Sequence, residues 1–118
     1  MAYVDACIIP VLASKKSAYL KWAVLAGAVF KENGALRIVD CWGDDVPKGK
    51  VTDLWGAVKS EDGEIIVVSW IEWPSKAVRD AGMKACMNDP RMQPNADMPF
   101  SGKRMIFGGF EQIHETVA

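Results

Sequence analysis

The side chains most able to do chemistry are the carboxylates around one segment and the charges set inside apolar runs. Asp40, Asp44, Asp45 and Asp53 cluster in sequence, and hard cations such as Ca²⁺ and Mg²⁺ are held by oxygen groups of this kind. The alternation of a calcium loop is missing, and Lys48 and Lys50 lie in the same stretch. These groups therefore read as a solvated turn, and no metal is expected. Arg37 and Asp40 interrupt one apolar run, and Asp5 interrupts another. Charges in such places are seldom buried unpaired, so they either pair across an interface or mark a site. Period-two alternation puts Arg37 on the side of Cys41 and Asp40 on the side of Trp42. If Val4, Ala6, Ile8, Leu36 and Ile38 face the helices, then Asp5 and Arg37 share the opposite face. There, with Trp42 and Trp70, they would line a cleft for a small anionic or aromatic molecule. Arg37 would hold the anion, and the rings would stack on a planar group.

Other reactive groups offer less. His114 is the single histidine and has no serine or cysteine near it in sequence. It could act as acid or base only if the chain end folded over a cleft. Cys7, Cys41 and Cys86 have no CxxC spacing and read as buried free thiols of a reducing compartment. Gly108-Gly109 has no helix after it to bind phosphate, so a bulge or a close packing contact is expected there. No cofactor is implied.

The elements that must position these groups follow from patterning. Tyr3 to Leu12 is apolar and β-rich and predicts a strand. Ser14 is placed to cap a helix to about Glu32, stopped by Asn33-Gly34, with Tyr19, Trp22, Ala26, Val29 and Phe30 as its packing stripe. The opposite line, Lys21, Val24, Ala28 and Lys31, is apolar in its middle and suggests either small residues on a solvated face or a partly covered helix. Ala35 to Trp42 predicts a second strand, followed by turn residues Gly43 to Lys50. Val51 to Val58 reads as a short strand or an irregular return. Glu61-Asp62-Gly63 turns the chain into Glu64 to Trp73, whose Ile65-Ile66-Val67-Val68 core is apolar on both faces and must be covered on both. Pro74-Ser75 opens a helix to about Asn88 with Val78, Ala81 and Ala85 inward. Asp89-Pro90 starts a further short turn, Met92 to Gly102 is a proline-rich loop, and Lys103 to Ile113 is the last strand.

The chain has 118 residues, 50% of them hydrophobic and five of them tryptophan, with a formal net charge of −1. One domain, 1–118, fits that length. An isoelectric point near 5.8 gives no electrostatic footprint for nucleic acid. The third strand, Ile-Ile-Val-Val-Ser-Trp-Ile-Glu-Trp, also lacks the aromatic signature of RNA-recognition domains. No apolar run reaches the ~18–20 residues of a membrane span, and the first residues, with the acidic Asp5, do not resemble a secretory signal. A cytoplasmic protein is expected, with neither nucleic acid nor membrane as partner.

The order β-α-β, β-α-β is the split pattern of the ferredoxin-like fold, an α+β domain with two helices on one face of a four-stranded antiparallel sheet. The strands carry apolar residues of both parities, so the second face also needs a cover. A second copy's sheet supplies it economically, giving a homodimer through the open sheet face in the form of a dimeric α/β barrel.

Four blocks, Gly34–Pro47 (GALRIVDCWGDDVP), Ser69–Asp80 (SWIEWPSKAVRD), Asp89–Met92 (DPRM) and Gly102–Phe110 (GKRMIFGGF), resemble the YbaA-like family of uncharacterised bacterial proteins. The resemblance covers almost the whole chain and implies the dimeric α/β-barrel fold, with no established activity or catalytic residues. Tyr19 to Val29 departs from it, since more charge is expected on the first helix. By analogy with the fold, the chain is expected to be a homodimeric barrel that binds a small anionic or aromatic molecule, with or without transforming it. The alternative is a non-catalytic dimer serving interaction or a stress-related structural role.

Overall fold

The computed structural model describes residues 2–93 and 98–118. Its elements are β1 (Tyr3–Leu12), α1 (Lys16–Glu32), β2 (Arg37–Trp42), α2 (Leu54–Ala57), β3 (Glu64–Trp73), α3 (Lys76–Met87) and β4 (Ile106–Glu111), with 3₁₀ turns at Ala13–Lys15 and Pro90–Met92. The strands form one antiparallel sheet in the order β2-β3-β1-β4. This is the ferredoxin-like α+β arrangement that the order of elements predicts.

Local chemistry sets most boundaries. α1 ends in a Schellman motif: Gly34 takes φ +105°, Ala35 N–H reaches the Phe30 carbonyl at 3.1 Å and Gly34 N–H the Lys31 carbonyl at 3.3 Å. The start of α1 differs from expectation. Ser14 lies inside the 3₁₀ turn, and no side chain caps the helix. Ser75 Oγ accepts from Val78 N–H at 3.1 Å and starts α3, and Asp89 Oδ1 caps the turn at Pro90 by accepting from Arg91 N–H at 2.8 Å. Val51 to Val58 is neither strand nor irregular return. Asp53 Oδ1 accepts from Gly56 N–H at 2.6 Å and caps the short α2, while its Oδ2 accepts from Gly49 N–H at 3.0 Å in the turn before it. The expected loop Met92 to Gly102 lies partly outside the described residues, and Phe100 bridges to Val11.

Tyr3, Asp5, Cys7, Ile9 and Val11 on β1 are paired with Trp73, Ile71, Ser69, Val67 and Ile65 on β3, and this parity faces the helices. Two apolar clusters fill the space beneath α1 and α3. One joins Ala26, Val29, Phe30, Ile71, Trp73 and Cys86, and the other joins Ile9, Val11, Tyr19 and Val67. Between them runs the cross-strand row Asp40–Ser69–Cys7, so the core is split by polar groups.

α3 presents Gly82 and Cys86 inward, whereas Val78, Ala81 and Ala85 are exposed. The helix is rotated from the expected face because the Trp73 ring occupies its seat. A Cβ at Gly82 would sit 2.6 Å from that ring, so only glycine fits there. Gly108-Gly109 makes no bulge, since β4 keeps unbroken register with β1. Gly109 is instead a close contact, where a Cβ would meet the Tyr3 hydroxyl and the Arg79 guanidinium. No helix among the described residues is long and apolar enough to cross a membrane.

Candidate functional site

The sheet face away from the helices carries three cross-strand rows: Arg37–Glu72–Val4–Phe110, Val39–Trp70–Ala6–Gly108 and Cys41–Val68–Ile8–Ile106. At the far corner the face is covered. Pro10 and its partner Ile66 are fully buried, and the segment after β2 is pinned there by Gly43 N–H on the Ile66 carbonyl at 2.8 Å. Arg104 fixes the same corner, donating to the Lys59 carbonyl at 3.2 Å and gripping both Glu64 oxygens at 2.6 Å. That grip lowers the Glu64 pKa.

Within the open rows, Glu72 joins two of the expected site residues. Its Oε2 accepts from Trp70 Nε1 at 3.0 Å and lies 3.4 Å from Arg37 Nη1. Arg37 is loosely held, its side chain 65% exposed against 32% for Glu72, and such a pair is worth ~0–1 kcal/mol. The indole of Trp70 lies in a row with Ala6 and Gly108, whose small size leaves space on that side. The Phe110 ring folds over Gly108, where a Cβ would stand 3.3 Å from Cζ. Glu72 was missed in the sequence, although it shares parity with Trp70 two residues away and is the one charge in an apolar strand core.

Asp5 and Trp42 do not join Arg37 and Trp70. Asp5 faces the helices, 12% exposed at its side chain. It accepts from Trp73 Nε1 at 2.9 Å and from Arg79 Nη2 at 2.7 Å, while Arg79 lies over the Tyr3 ring at 5.1 Å. The Asp5 bond raises the Arg79 pKa. The expectation that Asp5 shares a face with Arg37 is corrected, because Ile9 and Val11, of the same parity as Asp5, are the residues the helices bury. Trp42 also faces the helices, against Tyr19 at a centroid distance of 6.3 Å, with Lys16 Nζ 5.3 Å from its ring. Beside it the Tyr19 hydroxyl donates to Asp40 Oδ1 at 2.7 Å; burial first, then this bond, pushes the phenol pKa up.

Activated nucleophiles are lacking among the groups described. Burial raises the Cys7 and Cys86 thiols. Cys41, expected to be buried, is exposed at the open face. His114 is exposed and bonds Thr116 Oγ1 at 2.8 Å within its own segment. Asp53 is engaged in capping α2, and among the described residues no group of three or more His, Cys, Asp or Glu is placed to hold a metal ion. What the open face carries is a loosely paired guanidinium and an indole, both bonded to Glu72, among apolar rows.

Comparison with known proteins agrees with the fold and leaves the chemistry open. A family model described as "Protein of unknown function (DUF1428)" matches residues 2–102. The "Uncharacterized protein YbaA" of Escherichia coli K12 is 58% identical over 114 residues, spanning 96% of this chain and 97% of that one; the Shigella flexneri protein of that name gives the same figures. An uncharacterized NIPSNAP domain protein from Burkholderia xenovorans superposes with a TM-score of 0.60 at 18% identity, covering 98% of this chain and 99% of that one. Rv0793 from Mycobacterium tuberculosis gives 0.54 at 8% identity, covering 99% and 100%. At these identities the two structures speak to the fold alone.

Proposed function

The chain belongs to the DUF1428 family of proteins of unknown function, and from that premise we propose that two copies pair through their open sheet faces and hold a small anionic or aromatic molecule between them. The observation that carries this reading is the composition of the open face: apolar rows with one loosely paired cation, one carboxylate and one indole. A face with one Arg37 and one Glu72 has no net charge, so a two-fold axis can set each against its opposite on the other copy without like-charge repulsion. Four strands ~4.8 Å apart and about seven residues long give roughly 450 Å² of flat area per copy. Two copies give about 900 Å², and side-chain relief brings this toward the low end, ~1,200 Å², of a specific interface.

Between such sheets Arg37 supplies the anion contact and Trp70 the stacking surface. Asp5 and Trp42 serve the helix-side core instead. Thermal unfolding with benzoate as probe tests the ligand. At tenfold over its Kd, benzoate adds about 1.4 kcal/mol and raises Tm by several degrees. Arg37→Ala and Trp70→Leu each remove most of that rise. A flat response to benzoate, indole-3-carboxylate and phosphate overturns the ligand reading and leaves a dimer without a small-molecule site.

A further inference from the structure

Two rings of the open face lean toward each other from neighbouring rows. The indole of Trp70 turns toward Glu72, whose Oε2 accepts from its Nε1 at 3.0 Å. The Phe110 ring turns the other way, over Gly108, which lies in the row of Trp70. The two rings therefore flank β1 from β3 and β4, with Val4 and Ala6 as the floor between them. β3 and β4 are two strand spacings apart, ~9.6 Å. A flat ring standing midway is ~4.8 Å from each wall, within the ~4.5–7 Å of aromatic pairs. Ala6, opposite Trp70, keeps the floor low.

The Glu72 end of this slot carries both signs of charge. Glu72 Oε2 takes the Trp70 bond and the 3.4 Å contact of Arg37 Nη1, and among the described residues nothing donates to Oε1. Arg37, its side chain 65% exposed, makes no other polar contact among the described residues. A ligand carboxylate that reaches Arg37 therefore comes beside the carboxylate of Glu72, and like charges so placed repel. A hydrogen-bond donor on the neighbouring ring carbon relieves that conflict. It bonds Glu72 Oε1 while the carboxylate keeps Arg37, and both contacts are charge-assisted.

We propose that the molecule held here is an aromatic carboxylate with an amino group ortho to the carboxylate, its ring between Trp70 and Phe110. This deepens the ligand reading given above and rests on it. Glu72 becomes the specificity-determining residue, and Phe110 the second stacking wall. An amino group fits better than a hydroxyl, because it has two protons. One bonds the ligand's own carboxylate and the other bonds Glu72, whereas the single proton of an ortho hydroxyl is spent internally. The sheet of a second copy, about 10 Å away, roofs the slot. It excludes the water that would weaken discrimination between a paired and an unpaired carboxylate.

The test is calorimetric titration of the full chain at neutral pH with 2-aminobenzoate, 4-aminobenzoate and benzoate. The two aminobenzoates have the same atoms and charge and differ only in where the donor stands. The ortho isomer is expected to bind roughly tenfold more tightly than either of the others, the effect of one hydrogen bond to a charged group. Glu72→Gln keeps the shape and an acceptor for Trp70 but removes the charge. It should weaken 2-aminobenzoate and tighten benzoate, bringing the two to within about twofold of each other. Benzoate binding with no preference for the ortho isomer overturns this inference and leaves the ligand reading standing. No heat from any of the three overturns both. A preference that persists undiminished in Glu72→Gln also overturns the inference, by removing Glu72 from the selection. The isomer comparison needs the wild type alone, so it decides the matter even if the variant does not pair.

Discussion

On the helix side of the sheet, the Asp5 carboxylate receives Trp73 Nε1 and the Nε and Nη2 groups of Arg79 at 2.7–3.2 Å. On the open side, Arg37 makes, among the described residues, one polar contact of 3.4 Å with Glu72, and its side chain is 65% exposed. Both are charges inside apolar strands. Burial forces the first to be fully partnered, and among the described residues no buried side-chain polar atom lacks a hydrogen bond. Exposure lets the second stay loosely committed, which is what a recognition group needs. A charge within a strand is thus structural or available according to the face it occupies.

Substitutions on the helix side should be the most damaging. Trp73 is fully buried, and Trp73→Ala should cost ~3–5 kcal/mol, read from urea unfolding. Arg79→Ala leaves Asp5 without its main partner and should cost about 3 kcal/mol. Arg37→Ala, the matched change on the open side, should stay within ~1 kcal/mol in a monomeric background. Equal losses for Arg79→Ala and Arg37→Ala would break the contrast.

Thiol labelling sharpens it. With Cys7 and Cys86 raised by burial and Cys41 exposed in the single chain, a maleimide at pH 7 should modify Cys41 alone in a folded Phe110→Glu monomer, and the other two only after unfolding. Rapid reaction of Cys7 would contradict the filled helix side.

The smallest expected effect is on acid stability. Arg104 first, then Glu61 N–H, depresses the Glu64 carboxyl. A depressed folded pKa adds stability that is present above the unfolded value near 4.5 and is lost as pH falls through the folded one. Asp89, held at about 2 by Arg91, extends the same limb downward. Tm should therefore fall progressively from about pH 4.5 toward 2, and Glu64→Gln should flatten the upper part of that fall.

Much of this architecture was legible in the sequence. Strand β3 spans Glu64–Trp73 as patterning predicts, the α1 stripe of Tyr19, Ala26, Val29 and Phe30 is buried, and Asp89-Pro90 opens its turn. Alternation also separated Arg37 from Asp40 correctly. It could not say which parity of β1 lies under the helices, because both parities are apolar; Asp5 was misplaced for that reason. Its true partners, Trp73 and Arg79, lie 68 and 74 residues away. The inward face of α3 was missed because a glycine, not a valine or alanine, marks the seat of a tryptophan. Arg37 lies on the open face as alternation places it, and Glu72, which bonds both it and Trp70, carries no sequence signal beyond its parity.

The sheet-to-sheet dimer is the claim on which the functional reading rests. Light scattering behind size exclusion at tens of micromolar tests it, with Phe110→Glu as the paired variant on the open face. The wild type should run at twice 12.9 kDa and the variant at 12.9 kDa. A wild type that elutes at 12.9 kDa, or a variant that remains a dimer, would contradict the account.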